Sequence, residues 1–93
     1  MLKSILLTPQ FKRDYSSLLK KHYDKTIMQT GINALLQQNK DLLRTRYRDH
    51  ALKGKWKGYR EIHLDGDWLI IYRIEKTELQ LVLTRTGSHD KLL

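Results

Sequence analysis

The spacing of apolar residues changes twice along the chain. Ile5 and Leu7 alternate weakly within Lys3–Thr8, which predicts a short first strand. From Phe11 the spacing turns helical: Phe11, Tyr15, Leu18 and Leu19 form one stripe, with Lys12, Arg13, Ser16 and Lys20 outside it. Thr8 offers an N-cap oxygen, and Pro9 suits the first helical position, where a missing N–H leaves nothing unpaired. This helix is expected to end near Lys21-His22, with His22 a structural cation at its C-terminus. Asp24 caps a second helix with the stripe Ile27, Met28, Ile32, Leu35 and Leu36. Gly31 inside it costs about 1 kcal/mol relative to Ala unless a close neighbour requires it. Asn39-Lys40-Asp41 is expected to close the two helices as an antiparallel hairpin.

Leu42 to Lys57 has no clear period and reads as an extended connection. Connections of that length in compact domains are usually functional or disordered. The period then becomes two. Tyr59–Leu64 reads as a strand, Asp65-Gly66 as a hairpin turn, Trp68–Glu75 as the next strand and Glu78–Arg85 as the last. Thr86-Gly87-Ser88 is expected to break that strand and leave His89–Leu93 as a tail. The order implies an α+β fold: an N-terminal strand, a two-helix hairpin and a three-stranded antiparallel meander, with helices on one face of a small sheet. Residues 1–93 form a single domain. Strict alternation sets Arg85 on the face of Leu79, Leu81 and Leu83, so either a bulge re-aims the strand end or Arg85 sits at the rim of the core.

Charge narrows the range of partners. The chain carries a formal +8 over 93 residues, which favours a polyanionic partner. The cations are concentrated: Arg44, Arg46, Arg48, Lys53, Lys55, Lys57 and Arg60 crowd one segment, with Asp49 the only acid among them. There is no cysteine, which removes disulfides and thiolate metal sites. No apolar run approaches the ~20 residues that span a bilayer, and the N-terminus has no signal-peptide core, so no membrane role and a cytoplasmic location are expected.

Alternation puts Tyr59, Glu61 and His63 on one face of their strand and Arg60, Ile62 and Leu64 on the other. Asp67, across the hairpin turn, is expected to lie close to His63, to orient its imidazole and to raise its pKa above about 6.5. His50 in the cationic loop and His89 in the tail complete a set of three imidazoles outside the helical stripes, and imidazole exchanges protons near neutral pH. His50, His63, Asp67 and His89 match no compact zinc spacing, and the cationic surroundings oppose a divalent ion, so neither metal nor cofactor is expected. Trp56 among Lys53, Lys55, Lys57 and Arg60 fits single-stranded RNA, which such surfaces bind by stacking and phosphate neutralisation. Trp68 at a strand start reads more readily as core, and Arg85 as a cation able to grip a phosphate. No phosphate-binding glycine loop, nucleophile elbow or helix-turn-helix is present.

Asp49-His50-x-Leu52-x-Gly54-x-Trp56-Lys57-Gly58-Tyr59-Arg60-x-x-His63-x-x-x-Asp67-Trp68-x-x-x-Tyr72, followed by Arg85-Thr86-Gly87-x-His89, resembles the YafQ branch of the RelE/ParE toxin superfamily. The resemblance is dense from Asp49 to His89 and looser before it. It implies a RelE-like microbial RNase fold and a ribosome-dependent mRNA endonuclease, the toxin of a type II toxin–antitoxin pair. It also implies metal-independent cleavage by the ribose 2′-hydroxyl, leaving a 2′,3′-cyclic phosphate and a 5′-hydroxyl. Carried over, His50, His63, Asp67 and His89 become the acid–base set, Arg85 stabilises the phosphorane and Trp68 shapes the site. Which histidine is base and which acid stays open. Where the family often ends in an aromatic, this chain has Leu93, which offers RNA only apolar contact. The implied partners are ribosome, mRNA and a cognate antitoxin with an acidic binding segment, in a toxin–antitoxin hetero-oligomer. Two alternatives remain: a non-enzymatic basic module for RNA or an acidic protein, and a gyrase-directed toxin on the same fold.

Overall fold

A computed structural model describes the whole chain, Met1–Leu93. The elements run β1 (Ser4–Leu7), α1 (Pro9–Lys20), α2 (Lys25–Gln37), α3 (Lys40–Thr45), β2 (His50–Ala51), β3 (Arg60–Asp65), β4 (Trp68–Glu75), β5 (Gln80–Ser88) and α4 (His89–Leu92). The strands form one sheet in the order β1-β5-β4-β3-β2, with β1 parallel to β5 and every other pair antiparallel. No helix is long and apolar enough to cross a membrane.

The predicted caps are present. Thr8 accepts from the Phe11 N–H at 3.0 Å, and Asp24 accepts from Thr26 N–H at 2.7 Å. The helical stripes meet the sheet in one core that joins Phe11, Leu18, Met28 and Leu35 to Ile62, Ile70, Leu81 and Leu83. α2 crosses β3 at Gly31, where a Cβ would meet the tip of the Leu64 side chain and oblige it to turn aside.

Three stretches differ from the sequence expectation. Within the supposed loop 42–57 lie α3, the two-residue strand β2 and a 3₁₀ turn at Gly54–Trp56. Helix α3 is six residues long, with Asn39 as its cap and only Leu42 and Leu43 as apolar positions, too few to display a period. Two residues likewise cannot display alternation. The hairpin turn sits at Gly66-Asp67 rather than Asp65-Gly66, since Asp65 still pairs with Trp68 after an irregularity between His63 and Asp65. β5 also continues through Thr86, Gly87 and Ser88, opposite Ile70, Leu69 and Trp68, instead of breaking there. Polar and small side chains fit because Thr86 Oγ1 accepts from Trp68 Nε1 at 2.9 Å and donates to the Leu69 carbonyl at 2.8 Å.

The conflict over Arg85 is resolved by a bulge. Tyr72 pairs with Leu83 and Ile71 with Arg85, so Thr84 is the extra residue. Thr86, not Arg85, then follows Leu81 and Leu83 on the helix-covered face. The Thr84 carbonyl accepts from Thr8 Oγ1 at 2.8 Å, which ties the bulge to the α1 cap. The other face of the sheet is more open and holds a small cluster of Leu69, Ile71 and Leu92, with Leu52, Trp56 and Tyr59 packed on it.

Candidate active site

Glu61 and His63 point from β3 to the open face, as their alternation requires, while Ile62 and Leu64 join the core. β2 sets His50 directly opposite Glu61. The imidazoles of His50 and His63 come within 6.0 Å centre to centre, tilted by 29°. His89 opens α4, where its N–H donates to the Asp67 carbonyl at 2.9 Å, so the hairpin turn and the end of β5 are tied together. His89 is among the charges that act on His63. β2 and β3 therefore bring His50 and His63 together, and His89 at the start of α4 is near enough for its charge to act on His63.

The two paired histidines have opposite surroundings. His50 Nδ1 faces the Arg48 carbonyl at 2.8 Å and its Nε2 faces Glu61 Oε1 at 2.9 Å. Carbonyl and carboxylate oxygens accept, so both bonds are complete when both ring nitrogens carry hydrogen. His63 meets a donor instead: Arg48 Nη2 lies 3.1 Å from its Nδ1. Burial and then the Arg48 guanidinium hold the His63 pKa below its ordinary value; His50 and His89 add to this and Glu61 opposes it. The expectation that Asp67 raises it is overturned. Asp67 engages through its main-chain carbonyl, and its carboxylate is not among the groups acting on His63.

Arg48 and Glu61 are the residues that sequence reasoning missed. Arg48 adopts a left-handed backbone, φ 51°, which is uncommon for a side chain of its size. Its guanidinium forms no ion pair with an acid. Glu61 is the only acid near the two rings that is buried, with 4% of its side chain exposed. A signal for it existed, since alternation sets it beside His63. Nothing in the sequence singled out Arg48 from its cationic neighbours.

Other predicted residues lie elsewhere or in another role. The Arg85 guanidinium is held by Asp14 of α1, through Nε at 2.9 Å and Nη2 at 3.1 Å. Trp68 is buried on the helix face, edge-on to Tyr23 with ring centres 4.8 Å apart. Its route to the site runs through Thr86 and β5. Arg60 pairs with Asp49 at 3.2 Å. Trp56 is half-buried, edge-on to Tyr59, and anchors the turn that carries the exposed Lys53, Lys55 and Lys57. Leu93 is exposed at the end of α4.

His50, Glu61 and His63 also bring three ligating atoms within 4.8 Å of one another, a fit for a transition-metal ion.

A sequence model described as "Bacterial toxin of type II toxin-antitoxin system, YafQ" matches residues 3–93. The chain is 36% identical over 90 residues to the mRNA interferase toxin YafQ of Escherichia coli (strain K12), covering 97% of this chain and 95% of the relative. A metal-bound toxin from Helicobacter pylori superposes with a TM-score of 0.87 at 35% identity, with both chains fully covered. The toxin of the E. coli DinJ-YafQ toxin-antitoxin complex superposes with a TM-score of 0.84 at 32% identity, covering 100% of this chain and 99% of that one. The chain therefore belongs to the YafQ family of bacterial type II toxins.

Proposed function

We propose, from its membership of the YafQ family, that the chain is an mRNA-cleaving endoribonuclease that acts on ribosome-bound message and is held in check by a cognate antitoxin in a toxin–antitoxin complex. The E. coli relatives, an mRNA interferase toxin and the toxin of a toxin–antitoxin complex, support the message-cleaving and antitoxin parts of this reading. The observation that carries the chemistry is the unlike pairing of His50 and His63.

In this reading His63 is the base and His50 the acid. His63 removes the proton of the ribose 2′-hydroxyl, the 2′-oxygen bonds to phosphorus and the P–O5′ bond breaks. His50 delivers its proton to the departing 5′-oxygen, leaving a 2′,3′-cyclic phosphate and a 5′-hydroxyl. Glu61 orients His50 from the buried side. Arg48 stabilises the charge that builds on the phosphoryl oxygens. It leaves His63 as it turns to the phosphate, and this frees the Nδ1 lone pair. His89 and Asp67 complete the set at the α4 end, where the His89 N–H bond to Asp67 holds both in place. Arg85 acts as a positioning residue, because it ties β5, which leads into His89, to α1.

The test uses programmed ribosomes and an mRNA with sulfur in place of the 5′-bridging oxygen at the cut site. His63→Ala and His50→Ala each lower cleavage of ordinary message by roughly 10²–10⁴-fold. A thiolate leaves without a proton, so the sulfur substrate rescues His50→Ala but not His63→Ala. Rescue of His63→Ala instead would reverse the two roles. The absence of new 5′-hydroxyl ends with the wild-type protein would remove the nuclease reading.

The metal-bound H. pylori toxin gives the cluster a second meaning. An ion held by His50, Glu61 and His63 would occupy the nitrogen lone pairs that proton transfer needs. Copper(II) should therefore inhibit cleavage and a chelator restore it. Loss of activity on chelation alone would make the ion part of the reaction.

A further inference from the structure

A groove of about 540 Å³ lies on the other side of β2 from the histidines. Asp49 and Ala51 line it, and because strand neighbours alternate in direction, His50 between them points the opposite way. Its other walls bring together five cations from separate elements: Lys40 and Arg44 of α3, Arg60 of β3, Arg73 of β4 and Lys76 beyond it. Lys40 and Arg44 are four residues apart on one helix and so share a face.

The charge in this groove is uneven. At its floor Asp49 accepts from Arg60 and from the Tyr72 hydroxyl, the latter at 2.6 Å, so that acid is already committed. The rim cations have weaker ties. Arg44 meets Asp41 at 3.4 Å with both side chains over two-thirds exposed, and Arg73 meets Glu75 at 3.7 Å with both over one-third exposed. Pairs of that kind contribute little and exchange readily. Lys40 has only the Gln38 amide oxygen near, at 3.3 Å, and Lys76 forms no ion pair. The helix α3 that supplies half of this rim was invisible as a helix in the sequence.

We propose that this groove is a second nucleic-acid site, which binds the sugar-phosphate backbone of an RNA strand apart from the bond being cut. The inference rests on the ribonuclease reading above and deepens it. β2 is two residues long and forms the sheet edge, so a strand lying in the groove can pass round it to the histidines. The same phosphodiester chemistry is offered by the flank of the message and by ribosomal RNA. An acidic protein segment also carries negative charge, but it offers carboxylates rather than the regular run of phosphates that cations from three elements can track.

The experiment compares the full-length wild type with a variant in which Lys40, Arg44, Arg73 and Lys76 are all replaced by Gln. A second variant, Lys40→Arg with Lys76→Arg, keeps the charge and controls for packing. Binding is followed as a function of salt in two arms: a single-stranded 2′-O-methyl oligonucleotide, which the enzyme cannot cut, and ribosomes without message. Each phosphate neutralised on a single strand contributes ~0.7 to the slope of log affinity against log salt, so the fourfold variant loses roughly 2–3 from that slope. The arginine variant keeps it. Loss in the oligonucleotide arm assigns the groove to the message, and loss in the ribosome arm to ribosomal RNA. An unchanged slope in both arms overturns the proposal. His63→Ala separates the two readings, because it stops cleavage and leaves the salt slope unchanged. If the wild type cuts nothing, the slope still reports on the groove.

Discussion

One sheet carries two unlike faces, and two arginines show the difference. At the helix layer Arg85 reaches Asp14 of α1, whose side chain is 3% exposed and also accepts from Gln10 and from the Thr86 N–H. On the open face Arg48 has no acid at all and rests against His63. Every buried polar side-chain atom on the helix face has a partner, whereas Trp56 Nε1 and Glu61 Oε2 on the open face have none. Unpaired buried groups lower stability, and in native proteins they concentrate where function requires them. Paired charge thus stabilises one face, whereas on the other the Arg48 guanidinium has no acid beside it.

The largest effect expected from breaking this contrast is on stability. Asp14→Ala removes the acceptor of four hydrogen bonds and leaves Arg85, only 25% exposed, without its partner. A loss of about 3 kcal/mol is expected in urea unfolding, while cleavage per folded molecule falls far less than with His63→Ala, because Arg85 only positions β5. Loss of cleavage at unchanged stability would place Arg85 in the chemistry and dissolve the contrast. The same pair sets an acid limit. Burial pushes the Asp14 carboxyl pKa up, but bonds from Arg85, Gln10 and the Thr86 N–H outweigh it and leave it below its ordinary value. With the folded pKa below the unfolded one, its contribution is complete above about pH 4 and is lost as pH falls through the folded value.

Arg48→Gln should have the opposite profile. Cleavage falls roughly 10²-fold, as when one donor to a developing oxyanion is removed, and folding stability changes by less than about 0.5 kcal/mol. Equal cleavage by this variant and the wild type would deny Arg48 its role at the phosphate.

The smallest effect is the most specific. In the proposed reaction the neutral form of His63 is the base, and its folded pKa lies below the usual ~6.5, so the acid limb of kcat/KM should have its midpoint below that value. Removing the Arg48 charge moves this midpoint up toward 6.5. A limb that stays in place would mean that Arg48 does not act on the base.

Much of the molecule was legible in the chain. β4 was bounded correctly at Trp68–Glu75, and the Thr8 and Asp24 caps start α1 and α2 as expected. These features depend on period and on local hydrogen bonds, which successive residues carry within themselves. Helix α3, strand β2 and the last three residues of β5 were not legible, because each is too short or too polar to show a period and is held by distant partners. His63 N–H donates to the Tyr47 carbonyl at 2.8 Å, and that contact across sixteen positions sets the approach of Arg48.

The histidine set, the concentration of cations and the family were therefore settled by residue identity and order. Which cation would face which imidazole was decided only in three dimensions. The bulge at Thr84 turned the strand so that Thr86 took the core position, and Asp14 took up Arg85. The left-handed turn at Arg48 brought a different guanidinium to His63. Charge pairing falls off with distance and depends on burial, and both quantities come into being only when separate elements pack together.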